Sequence, residues 1–171
     1  MLSRAKIERW GFYPVPEITP ELYHDVFVIL EREHVRYVVV GGLAVVLHGY
    51  VRPIADLDMV VSAAPEEANH TLHVLMRAGF MPTIPLPLHA LTVLRLFDHA
   101  RREIDLFARF IIPFDELWAE SETMRVGDST VRVMSFAHVL REKRLNGRPR
   151  DLQDIEELLA LKAHAGRTEE H

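Results

Sequence analysis

Hydrophobic positions along the chain change period repeatedly, and each change marks an element. In "TPELYHDVFVILEREH" Leu22, Val26, Phe27 and Leu30 recur at helical spacing behind Thr19 as N-cap and Pro20 at the first helical position, predicting a helix over about 20–33. "RYVVV" is a β-branched run that reads as a buried strand, and it leads into Gly41 and Gly42, a short helix in "LAVVLHG" stopping at Gly49, and a second strand in "LDMVVS". "APEEANHTLHVLMRAGF" has Pro65 near its start, acids in its first turn and Gly79 just past its end, which bound a helix. The proline-rich "MPTIPLPLH" predicts an extended loop or irregular sheet edge.

Further along, "LTVLRLFD" and "REIDLFARF" are strands separated by a charged turn at 99–102; as a hairpin they would lack the usual turn glycine. "DELWAE" predicts a short helix, "TMRVGDSTVRVMS" a hairpin around Gly127 and Asp128, and "SFAHVLREKRLN" a helix capped by Ser135. Gly147 and Pro149 interrupt the chain before a last helix, "RDLQDIEELLALKAH", and the tail "AGRTEEH" is expected to fray. No internal repeat or low-complexity segment is visible. The order α, β, α, β, α, β, β, α, β, β, α, α predicts an α/β fold with a mixed sheet: helix-joined strands favour parallel neighbours, hairpins antiparallel ones. The expected division is a core with an N-terminal helix over 1–134 and a C-terminal helical segment, 135–171, packed on the same domain.

Composition narrows the classes of function. The 171 residues are 49% hydrophobic and 26% charged, as in an ordinary globular domain. No cysteine is present, which excludes disulfides, thiolate metal sites and cysteine nucleophiles. "MLSRAKIERWGF" lacks the apolar stretch of a signal peptide, and no run approaches a membrane span, so a cytoplasmic protein without membrane contact is expected. The formal charge of −5 means that polynucleotide contact would need a local basic patch.

Candidate chemistry concentrates in "VVVGGLAVVLHGYVRPIADLDMVV". Asp56 and Asp58 are two apart and point to one face of an extended strand, where they repel each other and where burial is costly. Divalent cations relieve that repulsion: Mg²⁺ favours carboxylates with phosphate oxygens, and a two-metal site can activate an attacking oxygen and stabilise a leaving one. Gly41 and Gly42, between strand and helix, would leave backbone N–H groups open to an anion without a Cβ in the way. Asp105, between Ile104 and Leu106 in "REIDLF", would be a third acid on an adjacent strand.

These residues resemble a known family. "GG", followed after thirteen residues by "DLD" and later by "IDLF", is similar to the nucleotidyltransferase superfamily. That superfamily includes DNA polymerase beta, the minimal nucleotidyltransferases, aminoglycoside and lincosamide nucleotidyltransferases, and the nucleotidyltransferase toxins of abortive-infection systems. The likeness is strongest over residues 36–108 and extends more loosely to "LREKRLNGRPRDLQDIEELL", which resembles the lysine, arginine and "RDxxD" segment of the abortive-infection branch. The resemblance implies a polymerase-beta-like fold with C-terminal helices closing one side of a cleft. It implies that Gly41 and Gly42 hold a nucleoside triphosphate such as ATP and that Asp56 and Asp58 bind two Mg²⁺ ions, with Mn²⁺ as a substitute. Asp105 would complete one metal site and help deprotonate the acceptor. Arg52 matches an arginine often placed before the acid pair, and Lys143 is a candidate for the phosphates or the acceptor. The sequence departs from the pattern at Gly42, where many members have serine, and at Ile54, where threonine is common.

The implied reaction is metal-dependent transfer of a nucleoside monophosphate from a triphosphate to an acceptor hydroxyl or phosphate. The acceptor could be tRNA, a protein side chain or a small hydroxylated molecule. The alternative is a toxin–antitoxin component or binding module of the same fold acting mainly through a protein partner. Plainer readings apply elsewhere. The five basic residues of 141–150 fit a solvated helix face paired with Asp151 and Asp154. Glu31 with His34, and His70 with His73, have helical spacing but no converging third ligand for zinc. His48 reads as a hydrogen-bonded structural residue, and Trp10 and Trp118 as packing residues.

Overall fold

The computed structural model describes residues 19–168; Trp10 and the last residues of the tail lie outside them. Seven strands form one mixed sheet: β1 (Tyr37–Val40), β2 (Leu57–Val61), β3 (Met81–Pro82), β4 (Val93–Phe97), β5 (Glu103–Phe107), β6 (Glu122–Val126) and β7 (Ser129–Val133), in the order β3-β4-β5-β2-β1-β7-β6. The helices are α1 (His24–Arg32), α2 (Gly41–Leu47), α3 (Pro65–Arg77), α4 (Phe114–Ala119), α5 (Phe136–Asn146) and α6 (Pro149–Thr168). Pro20–Tyr23 forms a 3₁₀ turn ahead of α1, so the first expected helix is shorter, and Thr19 makes no side-chain cap. The proline-rich segment supplies the short edge strand β3 and a 3₁₀ turn at Leu88–Ala90. Ser135 caps α5 by accepting from His138 N–H. No helix among the described residues is long and apolar enough to cross a membrane.

Alternation along the strands separates a core face from a working face. Leu57, Met59 and Val61 of β2, Leu94 and Leu96 of β4, and Ile104 and Leu106 of β5 are buried in a core shared with Phe27, Leu30, Val74, Leu75 and Phe80. Asp58, Arg95, Glu103 and Asp105 therefore share the opposite face.

One pairing departs from the expectation that helix-joined strands lie parallel. β1 and β2 are antiparallel, with Val40 opposite Asp58. A parallel crossover needs an element long enough to carry the chain back along the sheet. Helix α2 has seven residues, a rise of only about 10 Å, and it returns the chain to the edge it left. Because β2 is in turn parallel to β5, and β1 to β7, the ends of β1 and β7 and the starts of β2 and β5 meet at that edge.

The β4–β5 hairpin forms despite its missing glycine because Arg101 takes the left-handed conformation, φ 63°. Asp98 stabilises the turn, accepting from the Arg102 backbone N–H at 2.8 Å and from its Nε at 2.8 Å. The same guanidinium donates to Leu22 O at 2.7 Å and to both Asp25 oxygens at 2.6 and 2.9 Å. It lies over the rings of Tyr23 and Phe80, and Tyr23 donates its hydroxyl to Glu103 O at 2.7 Å. The start of α1 is thereby pinned to the strand that carries Glu103 and Asp105. Asp98 is buried, so Arg102→Ala would leave its Oδ2 without the guanidinium while Oδ1 keeps the backbone N–H, and should cost about 3 kcal/mol in urea unfolding. A loss below about 1 kcal/mol would show that the pair does not hold the hairpin in place.

Candidate active site

A cleft of about 740 Å³ opens at the edge where these strand ends meet. Its floor carries Asp56, Asp58 and Asp105, its near wall Gly41, Gly42 and Arg52, and its far wall Phe107 and Phe110. Helix α5, the short link after it and the start of α6 bring Glu142 and Lys143, Arg148, and Arg150 to the cleft in that order.

Register assembles the floor. Asp58 and Asp105 are directly paired on parallel strands, and Glu103 precedes Asp105 by two residues on the same face. Asp56, Glu103 and Asp105 each bring an oxygen within 4.8 Å of the others. Arg95, paired with Asp105 across β4, donates to its two oxygens at 2.8 and 2.7 Å and lies 2.7 Å from Glu103. That guanidinium does not balance the cluster. Burial, then the neighbouring Asp56, Asp105 and Glu142, push the Asp58 carboxyl up to about 7 against the pull of Lys143. Burial and Asp105 also raise Asp56 against Arg95 and Arg150, and burial raises Glu103. Closely spaced hard oxygen donors with an unmet demand for positive charge fit a divalent cation of the Mg²⁺ type.

The glycines have separate reasons. Gly41 takes φ +64°, and a Cβ there would lie 2.2 Å from Asp58 Oδ2, so the site requires glycine both for its backbone and for the close approach of the acid. A Cβ on Gly42 would come within 3.0 Å of Ile54 Cγ2 and 3.3 Å of Arg52 Nη1. The two departures from the family pattern are thus one packing solution: the Ile54 methyl crowds the space into which a side chain at 42 would point.

Arg52 and Lys143 line the cleft but belong to a buried ionic network. Lys143 Nζ lies 3.0 Å from Asp151 and 3.2 Å from Asp154. Arg52 donates to both oxygens of Asp154 at 2.7 and 2.9 Å. Burial alone would raise Asp151, but hydrogen bonds from Arg148 and Lys143 outweigh it and hold the carboxyl below its usual range. The network ties α5, α6 and the loop before β2 into one wall.

No protein-family model matches the sequence, and no curated protein does. Solved structures are similar. A lincomycin-bound lincosamide antibiotic adenylyltransferase, LnuA, superposes with TM-score 0.59 at 18% identity, covering 82% of this chain and 96% of its own. A nucleotidyltransferase-like protein from Paracoccidioides brasiliensis gives TM-score 0.59 at 18% identity over 83% and 75% of the two chains. ANT(2'')-Ia in complex with adenylyl-2''-tobramycin gives 0.54 at 15% identity over 89% and 98%.

The chain has the nucleotidyltransferase fold.

Within that fold, the structure brings Gly41, Gly42, Asp56, Asp58 and Asp105 to one cleft, and gives Arg52 and Lys143 carboxylate partners at its wall. Glu103, Arg95 and Glu142 were not anticipated. The i, i+2 rule that paired Asp56 with Asp58 applies equally to Glu103 and Asp105. Arg95 could have been found by counting back across the 99–102 turn. The burial of Glu142 had no sequence signal, since it stands among basic residues on what reads as a solvated face. His48 is structural, with Nε2 2.8 Å from Met134 O and its ring against Phe136, and Trp118 packs beside Phe114 under Arg132.

The folded protein binds more protons at Asp58 than the unfolded chain between pH about 4 and 7, so metal-free stability should fall as pH rises through that window. Asp58→Asn removes this charge. In the presence of a chelator at pH 8 it should raise Tm by about 3 °C or more, with little effect at pH 4. An unchanged or lower Tm at pH 8 would show that the acid is already compensated.

Proposed function

We propose that the protein is a metal-dependent nucleotidyltransferase that moves a nucleoside monophosphate from a nucleoside triphosphate to an acceptor, releasing pyrophosphate. The observation that carries this is the cluster of Asp56, Glu103 and Asp105 oxygens, with Asp58 paired to Asp105 and its carboxyl raised, beside a glycine pair in a cleft large enough for a nucleotide.

In this reading Asp56, Asp58 and Asp105 hold Mg²⁺ or Mn²⁺, which when bound supplies positive charge to the α-phosphate and to the departing pyrophosphate. Gly41 and Gly42 let the phosphates approach the backbone. Arg52, steadied by Asp154, presents Nη1 beside Gly42 as a phosphate contact. Lys143, already engaged by Asp151 and Asp154, contributes by fixing the wall, while Arg148, just before α6, and Arg150, in its first turn, line the cleft. The acceptor oxygen forms the new bond to the α-phosphorus, and the bond from phosphorus to the bridging oxygen breaks with its electron pair leaving on pyrophosphate. Asp105 receives the acceptor proton. Positioning and charge neutralisation do most of the work, as in phosphoryl transfer generally. The lincomycin and adenylyl-tobramycin in the similar structures favour ATP as donor and a small hydroxylated molecule as acceptor over tRNA or protein.

The test is transfer of label from each of four α-labelled nucleoside triphosphates into a cell extract and into a panel of hydroxylated antibiotics, with Mg²⁺. Native protein should label one acceptor, and Asp58→Ala should lower the rate by at least about 10³-fold while remaining folded. Equal labelling by the variant would refute the assignment of Asp58. Absence of both labelling and nucleotide binding would refute the enzyme reading in favour of a partner-binding module.

A further inference from the structure

Glu142 has a place in the cleft that the proposed chemistry leaves unused. Its side chain, on α5, is 5% exposed, yet the residue lines the cleft. Oε1 accepts a hydrogen bond from Asn146 Nδ2, whereas Oε2 is buried with no hydrogen-bond partner. The nearest cation, Lys143 Nζ, is 3.9 Å from Oε2, beyond hydrogen-bonding range, and is already directed at Asp151 and Asp154. A buried carboxylate oxygen without a donor leaves its lost hydration uncompensated, and a ligand that brings a donor recovers that cost on binding.

The chemistry of the missing donor is narrow. Burial raises the Glu142 carboxyl against the pull of Lys143; ionised, it accepts, does not donate and repels phosphate, so the group that meets Oε2 is a hydroxyl or N–H donor rather than part of the triphosphate chain. Glu142 and Asp58 both line the same cleft, which puts Glu142 on the ligand-facing surface shared with the carboxylates assigned to the α-phosphate. The hydroxyls nearest an α-phosphate in a nucleotide are those of its own ribose, one sugar ring away. Charge-assisted hydrogen bonds of this kind are about twice as strong as neutral ones and discriminate strongly against analogues that lack the hydroxyl.

We propose that Glu142 Oε2 accepts a hydrogen bond from a ribose hydroxyl of the bound nucleoside triphosphate and makes the site selective for ribonucleotides. This rests on the nucleotidyltransferase reading of the same cleft. The other source of the same chemistry is the acceptor's hydroxyl, and the experiment separates the two because it contains no acceptor.

Calorimetric binding of the full chain, with Mg²⁺, would compare the tightest of the four ribonucleoside triphosphates with its 2'-deoxy and 3'-deoxy forms. Native protein should bind one deoxy form roughly tenfold more weakly than the parent. That ratio should collapse towards one in Glu142→Ala and fall to roughly threefold in Glu142→Gln, which keeps the shape but loses the charge. Taking ratios within each variant removes any general effect on the site, and the glutamine variant decides the matter if the alanine variant does not fold. A ratio unchanged in these variants overturns the proposal. Equal binding of all three nucleotides by the native protein also overturns it and leaves Oε2 to the acceptor. Failure of the native protein to bind any nucleotide overturns the nucleotidyltransferase reading and this inference together.

Discussion

The antiparallel pairing of β1 with β2 is the constraint on which the site depends. It sets Val40 opposite Asp58, so that the residue after Val40 must pass beneath a carboxylate. Glycine at 41 satisfies that requirement, with φ +64° and no Cβ to meet the acid. Had α2 been long enough for a parallel crossover, the glycines and the acids would lie at opposite ends of the sheet. A short helix thus decides whether the two halves of the cleft meet at all. The parallel partners β5 and β7 then deliver Asp105 and the start of α5 to the same edge.

Two charge systems with different roles flank this edge. The helical wall is cross-linked: Asp151 is met by Lys143 and Arg148, and Asp154 by Lys143 and Arg52, so that each buried aspartate has two cationic partners. The sheet floor is deliberately different in balance, because Arg95 is shared by Asp105 and Glu103 while Asp56 and Asp58 have their carboxyls raised. Ion pairs that tie the wall together beside a floor of raised carboxyls are an arrangement suited to receive a cation without rearranging the fold. The ring contact between Phe107 and Phe110, 5.4 Å between centroids, closes the far side with apolar surface where the nucleoside or acceptor would rest.

Much of this was legible in the sequence, and the exceptions have specific causes. The strands, helices and both hairpins follow from periodicity, and Asp56, Asp58 and Asp105 stand out because acids inside apolar runs are costly. The direction of β1 against β2 was misjudged because a helix between strands was weighed without its length. The hairpin turn at 99–102 could be doubted for want of a glycine because backbone conformation at Arg101 is set by the Asp98–Arg102 contacts, which are tertiary information. Pairing with Asp151 and Asp154 was read for the basic run as a whole on a solvated face, while Lys143 was singled out for the phosphates or the acceptor; its burial was not foreseen, since a run of basic residues carries no mark of which one turns inward. Glu142 was hidden for the same reason.

The most direct measurement of the central claim is anomalous scattering from crystals grown with Mn²⁺ and a non-hydrolysable nucleoside triphosphate. The account predicts Mn²⁺ bound by Asp56, Asp58 and Asp105, with phosphate oxygens of the nucleotide completing its coordination beside Gly41 and Gly42. Manganese bound elsewhere, or a nucleotide whose phosphates lie away from that glycine pair, would contradict it.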